Sequence, residues 1–309
     1  MLRDILAGKD AQLAAVRTVL NRVDADVLLL TNMDWDHDLL ALRALSDSLT
    51  RPLAHHYAPR PNSGLPTGLD IDQNNKLGEA RDAQGYGRFS GDGGMALLSR
   101  YPIDLAQARD YSANLWADFP NGLMAKADVG RDVQRLSTTG HWAVPVQTPT
   151  GIVTILAFAA TPPVFDGPED RNGRRNHDEI MFWHQWIDQN PNVPFVIAGL
   201  ANLDPIDGQG LHTAIANLLT HPRLFDPLPH SAGARAAGNP GHGGHPSLDT
   251  VDLSDPTPGN LRLSYVLPSR DLPVLNSGVA WPDPENPDAE PPEILADRHR
   301  LVWVDLAFP

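Results

Sequence analysis

Pro194-Phe195-Val196-Ile197-Ala198-Gly199-Leu200-Ala201-Asn202-Leu203-Asp204-Pro205 is an apolar run that ends at a glycine and turns into a polar, proline-closed bend. A short continuous apolar run bounded by turn residues reads as a strand buried on both faces. Upstream, Asn176 to Ile187 places Ile180, Trp183, Trp186 and Ile187 on one helical face, so both tryptophans are expected in a core or an interface. Before that helix lies a second nearly all-apolar strand, Val153–Phe158. Strands and helices alternate along the chain, but pairs of strands in its middle suggest mixed sheets.

Toward the N-terminus, Gly94-Met95-Ala96-Leu97-Leu98-Ser99-Arg100-Tyr101-Pro102 reads as a buried strand stopped by proline. Gln12 to Val23 carries Leu13, Val16, Val19, Leu20 and Val23 at helical spacing, and leads through Ala25-Asp26 into the strand Val27-Leu28-Leu29-Leu30. A further helix is predicted over Leu39–Leu49, and further strands over Val133–Leu136 and His141–Val146. Asn62 to Phe89, rich in Gly, Asn and Asp, reads as a long ordered loop. Toward the C-terminus the pattern predicts a short helix over Thr213–Leu219, a Gly/His/Pro-rich loop over Ser231–Asp255, and strands over Arg262–Leu267 and Leu301–Phe308. No Pro- or Ser-rich linker interrupts the series, so residues 1–309 are expected to form a single domain with mixed sheets.

The 309 residues are 41% hydrophobic, enough for a large core, and carry a formal charge of -14. An acidic surface disfavours nonspecific binding to nucleic acid, which depends on releasing counterions to Lys and Arg. With no cysteine, the chain has neither disulfides nor thiolate chemistry nor Cys-based zinc sites. No segment reaches the roughly 20 apolar residues of a membrane span. The expectation is a soluble protein, periplasmic or secreted if a leader was removed upstream of Met1. Oligomeric state has no signature in the sequence.

Five stretches together resemble the endonuclease/exonuclease/phosphatase superfamily. They are Ala25–Leu30, Gly94–Ile103, Ala198–Pro205, Leu263-Ser264-Tyr265-Val266-Leu267-Pro268-Ser269, and His299-Arg300-Leu301-Val302-Trp303-Val304-Asp305. The resemblance implies a four-layered α/β sandwich: two packed mixed β-sheets flanked by helices. It also implies metal-dependent phosphoester hydrolysis, in which carboxylates hold a divalent cation and a His–Asp pair activates water. The reactive positions depart from that pattern. The metal-binding Glu aligns with Asn32, the catalytic His with Ala159, the Asp of Gly-Asp-x-Asn with Leu200, the Asp of the Asp-Tyr-Val-Leu-Pro-Ser motif with Ser264, and the Asp of the terminal Ser-Asp-His with Arg298. Asn202 and His299 are retained, and the family's opening strand would lie upstream of Met1.

Two functional expectations follow from these departures. In the first, hydrolysis is lost or strongly weakened, because members of a catalytic set act as a unit. The fold then keeps a site for a small phosphorylated or other anionic ligand at Arg298, His299 and the rim residues Arg171, Asn172 and Arg175. The polar stretch Asp170–Glu179 reads equally as a salt-bridged, helix-capping loop. In the second expectation the site is rebuilt around Mg²⁺ or Mn²⁺, with Asp34, Asp36 and Asp204 as substitute ligands and His299 as acid or base.

Separately, Asp70-Ile71-Asp72-Gln73-Asn74 resembles a calcium loop, with Asp70, Asp72, Asn74 and Asp82 as Ca²⁺ ligands, set against a solvated Asp/Asn turn. His242 and His245 have ligand-like spacing but no predicted helix to fix them.

Overall fold

The computed structural model describes residues 1–285 and 296–307. Helices α1 (Leu2–Ala7), α2 (Ala11–Val23) and α3 (Leu40–Asp47) flank strands β1 (Val27–Met33), β2 (His55–Tyr57) and β3 (Gly94–Ser99). These strands form an antiparallel sheet in the order β1-β3-β2. Asp10 starts α2 by accepting the Leu13 N–H at 2.8 Å, the usual device for an orphan helix donor.

Next come β4 (Arg109–Asp110), β5 (His141–Thr148), β6 (Gly151–Ala159), α4 (Arg171–Gln189), β7 (Phe195–Leu200), α5 (Thr213–Leu219), α6 (Ala232–Ala236) and β8 (Ser264–Pro268). The five-stranded sheet runs β4-β5-β6-β7-β8 and is mixed, with β6 and β7 parallel across the α4 crossover. A hairpin of β9 (Val274–Val279) and β10 (Val302–Leu306) completes the chain.

The period of two along each strand divides the core into layers. On β3, Met95 and Leu97 face the other sheet, while Ala96 and Leu98 face the helices with Leu20 and Leu42. On β6, Ile155 and Ala157 join Met95 and Leu97 between the sheets, while Leu156 and Phe158 pack on Ile180, Trp183 and Ile187 of α4. The result is four layers, helix–sheet–sheet–helix. Gly199 is required where β7 crosses β6, because a Cβ there would lie 2.1 Å from the Phe158 carbonyl oxygen.

Three expectations are corrected. Val133–Leu136 is not a strand; its bridge between Arg135 and Leu115 joins it to another loop segment, outside the sheets. The polar stretch after Asp170 is helix from Arg171 onward, five residues before the predicted start at Asn176. The loop Ser231–Asp255 contains α6 and a short 3-10 turn at Pro246–Leu248. Strand β10 falls within the predicted Leu301–Phe308 segment, of which Phe308 lies outside the described residues. Among the described residues, no helix is long and apolar enough to cross a membrane.

Candidate functional site

Strands β6, β7 and β8 end in one row. Ala159 pairs with Leu200 across the parallel ladder, and Leu200 pairs with Ser264 across the antiparallel one. The three adjacent positions therefore carry a methyl, an isobutyl and a hydroxymethyl group, none of which titrates near neutral pH. Opposite them β1 ends in a bulge between Thr31 and Met33, where Asn32 is exposed with φ at 58°. Asn32, Asp34, Leu200, Ser264 and His299 line a common cavity of about 750 Å³.

The two retained family positions are Asn202 and His299. Asn202, at φ 53°, donates from Nδ2 to the Ala160 carbonyl at 2.7 Å, so its amide holds the end of β6. His299 is carried by a bridge to Val251, which also bridges Leu261. Burial holds the imidazole below its ordinary pKa, and its buried Nδ1 has no hydrogen-bond partner among the described residues. A neutral imidazole is thus the resting form at pH 7. Arg298 is exposed beside it.

The carboxylates near the row are largely engaged by main chain. Asp36 caps α3, its two oxygens accepting the Leu40 and Ala41 N–H groups at 2.7 and 3.0 Å. Asp204 accepts from Ile206 and Asp207 on one oxygen and from Arg262 on the other. Asp34 accepts a single N–H, from Gly93 at 3.1 Å. Asp249, which sequence reasoning did not single out, is 8% exposed, and burial together with the charge of Asp204 pushes its pKa up to about 7. Its sequence setting in a Gly/His/Pro loop carries no signal of that burial.

The rim residues are committed to the frame. Arg175 is 5% exposed, and its guanidinium donates to the carbonyls of Leu136, Gln84, Arg135 and Ser137. Arg171 donates to Val129 O and Gln134 Oε1, and Asn172 donates to Val164 O. Asp178 accepts from Trp116 Nε1 and Leu123 N, and Glu179 from Thr138 N and Thr161 N. The first turns of α4 thus tie the long segment before β5 to the sheet.

Among the described residues, two groups place three ligand-type atoms within 4.8 Å of one another: Asp70, Asp72 and Asp82, and His184, Asp188 and His221. In the first group, Asp70 accepts from Asn74 N and Asn75 N, Asp82 from Ile71 N and Glu79 N, and Asp72 pairs with Arg81. The Asn74 oxygen accepts from Lys76 N. The loop therefore closes on its own hydrogen bonds, and we expect millimolar Ca²⁺ or a chelator to move the Tm by less than about 2 °C, since a ligand stabilises only by binding the native state. Calorimetry with and without Ca²⁺ checks this, and a larger rise would establish the loop as a calcium site. In the second group, His221 Nδ1 accepts from Arg223 N. Its Nε2 then carries the proton that bonds Asp188 at 3.1 Å, a tautomer that opposes metal ligation through Nε2.

Fold and site together define a class: a four-layered α/β sandwich with its polar loops gathered at one end of the sheet strands. The family model described as "Endonuclease/Exonuclease/phosphatase family" matches residues 5–289, and the chain belongs to that family. Among solved structures it is similar to an endonuclease/exonuclease/phosphatase from Beutenbergia cavernae, at 17% identity and TM-score 0.58, covering 97% of this chain and 66% of that one. The chain therefore spans about two thirds of that protein's length. It is also similar to a mannosyl-6-phosphatase of Bacteroides thetaiotaomicron, at 12% identity and TM-score 0.51, covering 99% of this chain and 95% of that one. A third is a Neisseria 3′ phosphatase bound to product DNA hairpin, at 15% identity and TM-score 0.50, covering 96% and 95%. At these identities the likeness is one of fold. No curated protein matches the chain.

Proposed function

We propose that this chain is a family member whose metal-dependent phosphoester hydrolysis is lost or strongly weakened, and which keeps an anion-binding position at Arg298 beside His299. The observation that carries this reading is the Ala159–Leu200–Ser264 row. A divalent cation needs oxygen ligands converging on one point, and water activation needs a positioned base. The row supplies neither. The residues present do not fit the metal that the family implies, and Asp36 and Asp204, offered as substitutes, are held by main-chain N–H groups. Of the four groups named as substitutes, Asp34, Asp36, Asp204 and His299, only Asp34 and His299 line the cavity with Asn32.

Arg298 supplies what the anion needs, a fixed cation with forked donors at the surface. Arg171 and Arg175 contribute framework, and their carbonyl bonds leave the recognition of an anion to Arg298.

The test is turnover of bis-p-nitrophenyl phosphate with Mg²⁺, Mn²⁺ or Ca²⁺, alongside inorganic phosphate binding by calorimetry. We expect no turnover above that of an Arg298→Ala control, and phosphate binding about tenfold weaker in that variant, equivalent to about 1.4 kcal/mol. Metal-dependent hydrolysis well above the control would overturn the loss of activity. Equal phosphate binding by both proteins would remove Arg298 from the site.

A further inference from the structure

The two histidines with ligand-like spacing part company in the structure. His245 is exposed, and its Nδ1 bonds the Ser247 hydroxyl at 2.8 Å. His242 is half-buried, and its Nε2 lies 3.0 Å from the Pro258 carbonyl oxygen, which can only accept, so Nε2 carries the proton. In the neutral ring Nδ1 is therefore a lone pair. It faces Asp207 Oδ2 at 4.0 Å, too far for a hydrogen bond, and among the described residues no donor bonds to it.

Both side chains are fixed by the chain around them. Asp207 accepts from Gly243 N on Oδ1 and from Gly244 N on Oδ2, at 2.8 and 2.7 Å, which leaves each oxygen a free lone pair. The His242 ring lies against Gly259, where an added Cβ would meet Cε1 and Nε2 at 2.8 Å. A histidine that gives one ring N–H to a main-chain carbonyl has its tautomer set for ligation through the other nitrogen. His221 is set the opposite way, presenting a proton to its carboxylate.

A second observation comes from Asp249. It is 8% exposed, and among the described residues its carboxyl has neither a hydrogen bond nor an ion pair. Apart from burial, the groups that act on it are Asp204, His242 and Asp207, so its carboxyl faces the same gap. Arg262 is committed to Asp226 by two hydrogen bonds. A buried carboxyl without a donor, beside two other carboxylates, calls for a cation.

From this geometry we propose that His242 Nδ1 and Asp207 hold a divalent transition-metal ion of the zinc class, with Asp249 behind them accepting from a water on the ion. Bonds of roughly 2.0–2.2 Å to nitrogen and oxygen span the 4.0 Å gap. His242, Asp207 and Asp249 do not bring three ligand atoms within 4.8 Å of one another, which leaves Asp249 the water-mediated place. Asp204 contributes charge alone, since its oxygens already take three N–H groups. An imidazole nitrogen in the set selects against Ca²⁺ and Mg²⁺, which take oxygen. None of these residues belongs to the Ala159–Leu200–Ser264 row, but the chain joins the two places. Thr250, next to Asp249, accepts Leu263 N and Ser264 N on its hydroxyl, and Val251 bridges His299. The ion thus clamps the loop of residues 242–249 to Asp207 and steadies the segment that carries His299.

The test is Zn²⁺ titration of the intact chain by calorimetry, followed by hydrogen exchange and thermal unfolding. One ion per chain is expected, with a Tm that rises with Zn²⁺ concentration and amides of residues 242–251 exchanging at least about tenfold more slowly. His242→Gln, whose amide can still donate to Pro258, should bind Zn²⁺ at least about tenfold more weakly. Asp249→Asn should also bind more weakly while its metal-free Tm equals or exceeds that of wild type, because an unpaired buried carboxyl is gone. His184→Gln should bind as wild type does. Absence of saturable binding, or equal binding by His242→Gln and wild type, overturns the proposal. Loss of binding in His184→Gln alone overturns it as well, and moves the ion to His184, Asp188 and His221. A metal-free Asp249→Asn protein less stable than wild type removes Asp249 from the site.

Discussion

An Arg175→Met variant is expected to lose roughly 3–5 kcal/mol of stability, the range for breaking a buried charged contact by removing one partner. The side chain lies in the interior and its guanidinium serves four main-chain carbonyls, at distances of 2.6–3.1 Å. Burial lowers its pKa to about 10, which still leaves it charged at neutral pH. Methionine fills a similar volume without donors, so the carbonyls of Gln84, Arg135, Leu136 and Ser137 are left to find partners in the interior. Glu179, one helical turn away, loses the cation that favours its ionised form. Urea unfolding of both proteins measures the difference, and Arg175→Lys should recover little, because an ammonium cannot reproduce a planar fork. A loss below about 1 kcal/mol would contradict the network. It would return Arg175 to the ligand-binding rim, where a surface cation contributes little to folding.

That prediction bears on why the site was only partly legible in the sequence. Asp170–Glu179 is dense in charge, and charge in a sequence pattern is ordinarily read as solvent-facing. Here Arg175, Asn176, Asp178 and Glu179 are all buried, and apart from Trp116 and His177 on Asp178 their hydrogen-bond partners are mostly main-chain groups of the segment before β5 and of the strand ends. Main-chain carbonyls have no residue identity, so no motif announces them. The apolar strands Val153–Phe158 and Pro194–Ala198 were readable because continuous burial on both faces leaves an unbroken apolar run. Strand β9 was missed because Val-Leu-Asn-Ser-Gly-Val breaks that run, its middle residues Leu275 and Asn276 being exposed. Val133–Leu136 has strand composition, but its main chain is spent on Arg175 and on the Asn114 and Trp116 contacts. Asn202 and His299 were reached only through the family motifs, since neither has a local pattern. The row of neutral side chains beside them needed the β6–β7–β8 register to become visible.

Buried polar groups also set the response to acid. His141 is 1% exposed, with Phe158, Phe182 and Trp183 at ring-centroid distances of 5.0–5.5 Å. Its Nε2–H donates to the Glu179 carbonyl at 2.9 Å, and its Nδ1 accepts from the Ser137 hydroxyl, so the neutral ring is fully bonded. Burial lowers its pKa from 6.5 to about 4, with the Arg175 charge acting in the same direction. Between pH 6.5 and about 4 the unfolded chain therefore binds the proton that the native state refuses. Stability from this group is fully present above pH 6.5 and declines as pH falls toward 4, by about 3 kcal/mol in total. Glu179 and Asp249, both pushed up to about 7 by burial, act in the opposite sense, because their native forms hold protons that the unfolded chain releases. A His141→Gln variant separates these contributions, since amide nitrogen and oxygen can keep the hydrogen bonds without titrating, and the two acids remain in both proteins. Urea unfolding at pH 6.5 and pH 4 should show wild type losing about 3 kcal/mol more than the variant over that interval, a ratio on the order of 100 in the unfolding constants. Parallel pH profiles would mean that His141 takes up its proton as readily in the native state as in the unfolded chain, Nε2–H still donating to the Glu179 carbonyl and Nδ1–H now donating to the Ser137 hydroxyl.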